Sequence, residues 1–201
     1  MRHEWLEALR PAVLMVAVFT LLTGVLYPLA IWIVTHDIFA FEAEGSLLEE
    51  HGKVLGSVLI GQEFQDAGHL WGRLSATGSF AYNPGASSGT NLGPLNPALA
   101  AAVKARLEAL RSADSTLTGP IPVDLVTASA SGLDPDISPA AAYVQVSRIA
   151  HARGADAAQV RALIERHVER RTFLVFGEPR VNVLSVNLDL DRKLPVQVSA
   201  R

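Results

Sequence analysis

Cysteine is absent from this chain of 201 residues, so the protein forms no disulfide and carries no thiolate nucleophile or zinc–thiolate site. The chain also has no excess of positive charge: 17 Lys and Arg residues stand against 20 Asp and Glu residues, a formal net charge of −3. Proteins that bind nucleic acid present a basic surface, so this balance argues against a nucleic-acid partner. A cysteine-free domain suits an extracytoplasmic location, although many cytoplasmic proteins also lack Cys.

The sequence has no recognisable catalytic constellation of nucleophile and base. It contains no phosphate-binding P-loop and no H-E-x-x-H zinc motif, and its six His residues lack metal-ligand spacing. Asp134 and Asp136 lie in a proline-rich turn, where paired carboxylates fit turn formation better than a cation site. No metal and no tightly bound cofactor are therefore expected, and the chain by itself is not expected to be an enzyme.

One long apolar run is present. Residues 11–34 (P-A-V-L-M-V-A-V-F-T-L-L-T-G-V-L-Y-P-L-A-I-W-I-V) are 24 residues without a charge. As a helix rising ~1.5 Å per residue they would span roughly 36 Å, enough to cross the ~30 Å hydrocarbon core of a bilayer. The run is longer than the ~7–15-residue core of a cleaved signal peptide and too apolar on every side for a helix of a soluble domain. It predicts a single-pass membrane anchor.

The charges that flank this run predict its orientation. Arg2 and Arg10 precede it, whereas residues 35–52 are acidic and contain no Lys or Arg before Lys53. Positively charged flanks stay in the cytoplasm. We therefore expect the N-terminus inside the cell and the rest of the chain outside.

Ala17, Thr20 and Gly24 recur at helical spacing within the apolar run. Small residues on one side of a membrane helix allow another helix to approach closely. The stripe therefore marks a candidate contact with a partner helix, and a lipid-facing coincidence is an equally open alternative.

The remaining sequence predicts one small α+β domain with about three helices and a small sheet. We divide the chain into a flank at 1–10, a transmembrane helix at 11–34, a connector at 35–52, a soluble domain at 53–194 and a frayed tail at 195–201. Helices are expected from Pro97 to near Ser112, from Ala140 to Arg153, and after a cap at Asp156, because Ser, Asn and Asp cap helices and Pro favours the first helical position. Strands are expected at 53–64, 123–128, 173–176 and 181–190.

Two loops rich in Gly, Ser, Asn and Pro, at residues 68–97 and 129–139, are long for a compact domain. The first contains Trp71, Phe80 and Tyr82, which are costly to expose unless they pack on the domain or on a partner. We therefore take Trp71, Tyr82, Asn91 and Asp134 as candidate partner contacts.

Five motifs in order resemble one family: G-S-V-L-I-G-Q-E-F (56–64), Y-N-P…S-S-G-T-N-L-G-P-L-N-P (82–97), V-T-A-S-A-S-G-L-D-P-D-I-S-P (126–139), Q-V-S-R-I-A (145–150) and G-E-P-R-V-N-V-L-S-V-N-L-D-L-D (177–191). Together they look like KdpC, the C subunit of the bacterial high-affinity potassium-transporting Kdp P-type ATPase. The resemblance implies a single-pass subunit of the inner membrane. Its implied partners are a channel-like potassium-binding subunit, the P-type ATP-hydrolysing subunit and a small one-helix subunit.

The resemblance also implies a role as a catalytic chaperone that raises the partner's affinity for ATP, with Gln145 as the nucleotide contact and ATP shared with the hydrolysing subunit. An extracytoplasmic domain could not reach cytoplasmic ATP, so this role conflicts with the orientation predicted from charge. Two other hypotheses are a membrane-tethered extracytoplasmic hydrolase that uses a Ser-rich loop and a solute-binding module. Turnover by the purified chain would favour the hydrolase.

Overall fold

The computed structural model describes residues 2–196 and divides into two compact units, one up to Leu47 and one from Leu48 onward. The first unit contains helices α1 (Arg2–Leu21), α2 (Tyr27–Ile38) and α3 (Ala40–Ala43), with a π-helical turn at Leu22–Leu26. The strands are β1 (Leu47–Glu50), β2 (Lys53–Ser57), β3 (Asp136–Ile137), β4 (Val168–Glu169) and β5 (Arg180–Asn182). The helices of the second unit are α4 (Pro97–Ala113), α5 (Pro139–Tyr143), α6 (Val146–Arg153), α7 (Ala157–Arg166) and α8 (Val183–Lys193).

The apolar run predicted at 11–34 lies within one helical stretch. The stretch Glu7–Ile38 has 32 residues with a mean hydropathy of 2.2 across its most apolar part, none of which is buried. Among residues 2–196 it is the one helix long and apolar enough to cross a membrane. Helix and position are confirmed, and the helix extends beyond the predicted bounds at both ends.

A π-helical turn interrupts this stretch at Leu22–Leu26, where the Tyr27 N–H donates to the Leu22 carbonyl five residues back. Pro28 follows, and proline has no N–H to donate to the carbonyl of Gly24 and crowds it sterically. The wider turn therefore lies just where the α-helical ladder would fail. A Cβ added at Gly24 would lie 3.9 Å from the Thr20 methyl group, so these two residues are surface neighbours.

Helix α4 begins as predicted. The Asn96 side chain accepts a hydrogen bond from the Ala98 N–H, and Pro97 occupies the first helical position. Leu110 is buried and three further apolar residues on the same face, Leu99, Val103 and Leu107, are half-buried. The helix therefore packs one apolar stripe on the domain, as its periodicity indicated.

The single helix predicted from Ala140 to Arg153 is wrong in one respect: it is broken into α5 and α6 at Gln145. The Gln145 N–H bonds the Ala142 carbonyl three residues back, while its side-chain Nε2 takes the Ala141 carbonyl at 3.1 Å. In a regular α-helix the Gln145 N–H would donate to the Ala141 carbonyl. Here the Gln145 side chain donates to that carbonyl instead, and the backbone N–H makes a tighter turn with a bond three residues back. The end at Gly154, with φ of 62°, is as predicted.

Helix α7 starts with a capping box in which Asp156 and Gln159 bond each other's backbone N–H groups. The cap at Asp156 is as predicted; Val160, Leu163 and Ile164 are buried, and His167 closes the helix.

The strand predicted at 181–190 is wrong after Asn182. Asn182 ends β5, and its side chain accepts from the Ser185 N–H and caps α8. The buried residues of α8, Val183, Leu184, Val186, Asn187 and Leu190, follow the helical period of 3.6. Because Leu184, Val186, Leu188 and Leu190 also alternate, the sequence fits a period of two as well.

The sheets are small. β5 lies between β3 and β4 in a three-stranded antiparallel sheet, in which Ile137 and Val168 both pair with Val181, and β1 pairs with β2. The strand predicted at 53–64 is confirmed for Lys53–Ser57 and ends there. Two further strand predictions were wrong: residues 123–125 form a 3₁₀ turn, and 173–176 form the tip of a hairpin. The acidic connector predicted at 35–52 contains the end of α2, α3 and β1. The predicted tail falls largely on residues 197–201, outside the described residues.

One hydrophobic core holds the second unit together. Its largest fully buried apolar side chains come from a loop, a 3₁₀ turn, three helices and the central strand: Leu70, Leu125, Ile149, Val160, Ile164, Val181, Val186 and Leu190. The fold is thus α+β, as predicted, with five α-helices among residues 48–196 where about three were expected.

Candidate functional site

Two buried amide side chains hold one stretch of loop in the core. Gln145 accepts a hydrogen bond from the Trp71 N–H (2.9 Å) and donates through Nε2 to the Trp71 carbonyl (3.1 Å). Asn187 on α8 accepts from the Leu70 N–H (2.7 Å) and donates to the Leu70 carbonyl (3.0 Å). Gln145 and Asn187 are 2% and 1% exposed. Buried backbone groups need partners, and here side-chain amides supply the bonds that a neighbouring strand would supply in a sheet.

Two guanidinium groups lie over the Trp71 ring. The Cζ atoms of Arg106 and Arg148 are 5.2 and 4.6 Å from its centre, within the range of a cation–π interaction. Arg148 also donates to Gln145 Oε1 (2.6 Å) and to the Ala67 carbonyl (2.7 Å). Burial lowers the pKa of Arg148 to about 10, so the group stays protonated at neutral pH. The surroundings of Trp71 are therefore cationic.

Tyr82 of the first loop (68–97) and Asp134 of the second loop (129–139) both contact Arg73. The Tyr82 hydroxyl donates to the Arg73 carbonyl, and Arg73 forms an ion pair with Asp134 (Nη1–Oδ2, 3.0 Å). Burial raises the pKa of Tyr82 to about 12, so its phenol is neutral at physiological pH. Gly61 packs against the ring so closely that an added Cβ would lie 2.3 Å from Tyr82 Cε1.

Trp71, Arg73, Tyr82 and Arg106 line a cavity of about 370 Å³, whereas Gln145 and Asp134 lie outside its lining. Its wall includes Glu63, Phe64, Trp71, Arg73, Leu74, Tyr82 and Arg106. Arg106 donates to the carbonyls of Leu125 and Gly72 (3.1 Å each) and forms no ion pair within residues 2–196. Burial lowers its pKa. Its guanidinium attracts an anion and repels K⁺, and the carboxylate of Glu63 in the same wall offsets part of this charge.

The structure brings four predicted residues together in this site: Trp71, Tyr82, Asp134 and Gln145. Trp71 and Tyr82 are 7% and 8% exposed and pack on their own domain, the first of the two alternatives that the sequence left open. Asp134 Oδ1 also accepts from the Asp136 N–H (3.1 Å), the bond of a turn former. All polar atoms of the Gln145 side chain are bonded within the protein, and its contact with a nucleotide stays a prediction.

The other predicted contacts lie elsewhere. Asn91 is exposed on the first loop, with φ of 51°, and does not line the cavity. Ala17, Thr20 and Gly24 belong to the first unit and are exposed along its helix. Partner contacts at these four positions stay predictions.

Sequence reasoning missed a polar network beside the site. His69 lies within 2.9 Å of both Asp66 and Asp191, and Asp191 accepts from Arg153 Nη2 at 2.8 Å. The Arg153 side chain is fully buried and also donates to the Gly68 carbonyl (2.6 Å). Since Arg153 follows Ile149 by four residues, it lies on the apolar stripe of its helix, a spacing that signals a buried arginine.

One serine motif also went unnoticed. Residues 85–89, G-A-S-S-G, match the G-x-S-x-G pattern of a hydrolase nucleophile. That pattern requires a sharp turn from a strand into a helix, whereas here its first two residues end a short 3₁₀ turn, Pro84–Ala86, and the other three lie in a loop. The hydroxyls of Ser87 and Ser88 donate to the carbonyls of Ser131 and Ala76 (3.0 Å each). They join the two Gly/Ser-rich loops to each other.

The geometry defines a class: an α+β domain, preceded by one helix able to cross a bilayer, whose long loops are tied into the core by buried amides and arginines. Within residues 2–196 no cluster of three or more His, Asp or Glu side chains is placed to bind a metal ion.

Comparison with known proteins identifies the family. The family described as "KdpC: K+-transporting ATPase, c chain" matches residues 9–192, so the chain belongs to the KdpC family. A "Potassium-transporting ATPase KdpC subunit" of Methylococcus capsulatus is 57% identical over 182 residues, 90% of this chain and 96% of the relative. Proteins of the same description from Herpetosiphon aurantiacus and Variovorax paradoxus are 56% and 55% identical, over 91% and 92% of this chain and 95% and 96% of their own lengths. The resemblance seen in the sequence is confirmed.

Proposed function

We propose that this chain is a non-catalytic subunit of the ATP-driven, high-affinity potassium uptake complex, in which it stabilises the assembly. Its proposed partners are the channel-like potassium-binding subunit, the P-type ATP-hydrolysing subunit and the small single-helix subunit. The observation that carries the proposal is the extent of the family match, which runs from residue 9 to residue 192 and so includes both the apolar helix and the folded domain.

We further propose that the chain raises the ATP affinity of the hydrolysing subunit, and that it does so through assembly. A direct contact from Gln145 would require its amide to give up bonds to Trp71, Ala141 and Arg148 inside a nearly closed core. Breaking such buried bonds costs ~1–3 kcal/mol for each group left unpaired. If Gln145 instead positions the first loop, it keeps these bonds and no such cost arises.

The proposed location is the bacterial inner membrane, with the N-terminus in the cytoplasm and the domain outside. The charge difference between the flanks of the apolar helix supports this orientation. Because the chain has no cysteine, each introduced Cys is a unique label site. Cys at Leu95, which is 97% exposed, should react with a membrane-impermeant maleimide in intact spheroplasts, whereas Cys at Glu7 should react only after lysis. The reverse pattern would overturn the orientation.

Deletion of the chain from the assembled complex tests the function. We expect the remaining subunits to co-purify in lower yield, and the KM for ATP of any residual potassium-stimulated ATPase to rise. Adding back the full-length chain should restore both. Unchanged yield and unchanged KM in its absence would contradict the proposal, and substrate turnover by the chain alone would contradict its non-catalytic part.

The cavity beside Trp71 favours one second candidate, a solute-binding module. Its unpaired Arg106 would select a small anion rather than potassium itself. Calorimetric titration of the full-length chain with phosphate, acetate and ATP tests this candidate, with Arg106→Gln as the variant expected to lose binding. Absence of heat with all three anions would remove the candidate.

A further inference from the structure

The hairpin between β4 and β5 ends in four consecutive apolar side chains on the outside of the domain. Phe173 and Leu174 are 85% and 81% exposed, and Val175 and Phe176 are 68% and 67% exposed. Single exposed apolar residues are ordinary, but a contiguous group marks a surface that contacts another protein or a membrane. We call residues 173–176 the apolar tip.

Local folding does not require apolar residues at the tip. Thr172 and Phe176 exchange two backbone hydrogen bonds of 2.9 Å, and the Val175 N–H donates to the Thr172 carbonyl (3.2 Å). This closes a tight turn whose central residues, Phe173 and Leu174, have φ of 51° and 65°. Asn and Gly are the residues that favour such a turn, and bulky side chains are strained there. Strain of this kind is retained where the residues have a function.

The base of the hairpin is polar and carries a free cation. Arg171 pairs with Glu178 (2.6 Å), and Arg180 is shared between Glu169 (2.7 Å) and Asp136 (3.2 Å). Arg170 is exposed and forms no ion pair with any residue in the described part of the chain. The tip itself contains no carboxylate. An apolar end above an unpaired arginine complements a lipid surface, where acyl chains lie below anionic phosphates.

The shape of the tip distinguishes lipid from a protein surface. All four consecutive side chains are at least two-thirds exposed. A flat or grooved protein surface would cover some of them, whereas lipid surrounds all of them. The nine residues 39–47 between the apolar helix and the second unit span at most ~30 Å, so the tether that joins the two is short.

We propose that the apolar tip inserts into the interfacial region of the bilayer and gives the domain a second membrane contact. Phe173, Leu174, Val175 and Phe176 enter the acyl-chain boundary, and Arg170 binds lipid phosphate. Because the membrane helix keeps the tip at high local concentration, even weak insertion is effective. This inference needs the membrane helix and not the transport role, so either can fail without the other.

A spin label at Leu174→Cys in the full-length chain, reconstituted alone into nanodiscs with anionic lipid, tests the proposal. Relative accessibility to oxygen and to a water-soluble nickel complex should place the label ~5–10 Å below the lipid phosphates, the depth of an interfacial element. A label at Val175→Cys provides a second position if the first variant misfolds. Leu95→Cys, 97% exposed and outside the tip, is the matched control and should remain in water.

The arginine is tested in the same nanodiscs. Arg170→Ser should make the Leu174→Cys label shallower when anionic lipid is present, whereas Arg111→Ser, an exposed arginine on α4, should leave the depth unchanged. A label that stays in water in nanodiscs of this chain alone would overturn the proposal. If such a label became protected only after the other subunits were added, the tip would bind protein. Dipolar broadening between labels would instead indicate a second copy.

Discussion

Gln145 and Trp71 are 74 positions apart, yet one side-chain amide pairs with both backbone groups of the other residue, at 2.9 and 3.1 Å. Asn187 pairs in the same way with Leu70, 117 positions away. Two consecutive loop residues are thus anchored by a residue at the break between α5 and α6 and by a residue of α8. The loop is long and rich in Gly, Ser and Asn, and these bonds give it a defined conformation in the core.

Replacement of Gln145 by Ala should destabilise the domain. The substitution leaves the buried N–H and carbonyl of Trp71 unpaired and removes a bond to Arg148, and we expect the free energy of unfolding to fall by ~2–4 kcal/mol. Urea unfolding of the full-length chain in detergent, followed by circular dichroism, measures the change. Gln65→Ala removes an exposed amide and should cost less than ~0.5 kcal/mol. Unchanged stability together with weaker ATP binding would favour the nucleotide contact instead.

Gly61→Ala should be destabilising because of close approach. Its new Cβ would lie 2.3 Å from Tyr82 Cε1 and 2.7 Å from the Asp134 carbonyl oxygen, distances that force the loop to move. We expect a loss of ~1–3 kcal/mol in the same unfolding measurement, the usual cost of overpacking. Gly93→Ala is the control, since an added Cβ there meets nothing within 4 Å. Equal effects of the two substitutions would show that the loop conformation adapts freely.

The carboxylate of Asp191 should make stability depend on pH in the acid range. Burial, the largest influence, raises its pKa, but hydrogen bonds from Arg153 and His69 outweigh burial and leave the pKa lowered. A lowered folded-state pKa stabilises the fold above the unfolded value of about 3.9, and this contribution is lost as the pH falls through the folded value.

Asp191→Asn should therefore reduce stability at pH 7, by less than ~1 kcal/mol because the carboxylate is half exposed, and its difference from the parent chain should shrink towards pH 3. Thermal melts across this pH range provide the measurement. Asp66→Asn should change stability with pH in the same direction. Burial raises the pKa of Asp66, but the hydrogen bond and charge of His69 outweigh burial and leave that pKa lowered. A stability difference between variant and parent chain that grows on acidification would contradict the lowered pKa of these carboxylates.

Gly24→Leu should weaken assembly with the other subunits. Inside its own helix the position has room, since an added Cβ meets only the Thr20 methyl group at 3.9 Å, so the helix itself should tolerate the change. A partner helix packed on Ala17, Thr20 and Gly24 would be displaced. The yield of the co-purified complex is the measurement, with Val25→Leu, the next residue around the helix, as control. Equal yields of complex from the two variants would indicate that the stripe faces lipid and not a partner helix.

Local sequence signals predicted the elements whose determinants are local. Asn96 with Pro97, Ser138 with Pro139, and Asp156 each begin a helix, because a capping side chain satisfies backbone groups only two or three residues away. The strand predicted at 181–190 failed because its apolar pattern fits two periods. Asn182 as a cap and Arg192 with Lys193 in the last turn were the signals that favoured a helix.

The sequence predicted several residues of the candidate site but not how they are arranged. Trp71, Tyr82 and Asp134 were selected from loop composition and Gln145 from family resemblance, and the structure brings them together. Asn187 and Arg148, which complete the site, carry no local signal of a role. An amide on a helix can face solvent or core, and only the packing of α8 against the loop buries Asn187.

The sequence by itself determined the long apolar helix able to cross a bilayer, the helix caps, the α+β class and the family, since each depends on residues close together in the chain or on motifs in order. The tertiary structure alone decided that Gln145 interrupts a helix to bond Trp71, and that Asn187 on α8 is buried against Leu70. The physical reason is the same in both cases. Buried polar groups and apolar faces must find partners, and those partners are contributed by segments that lie far apart in the sequence.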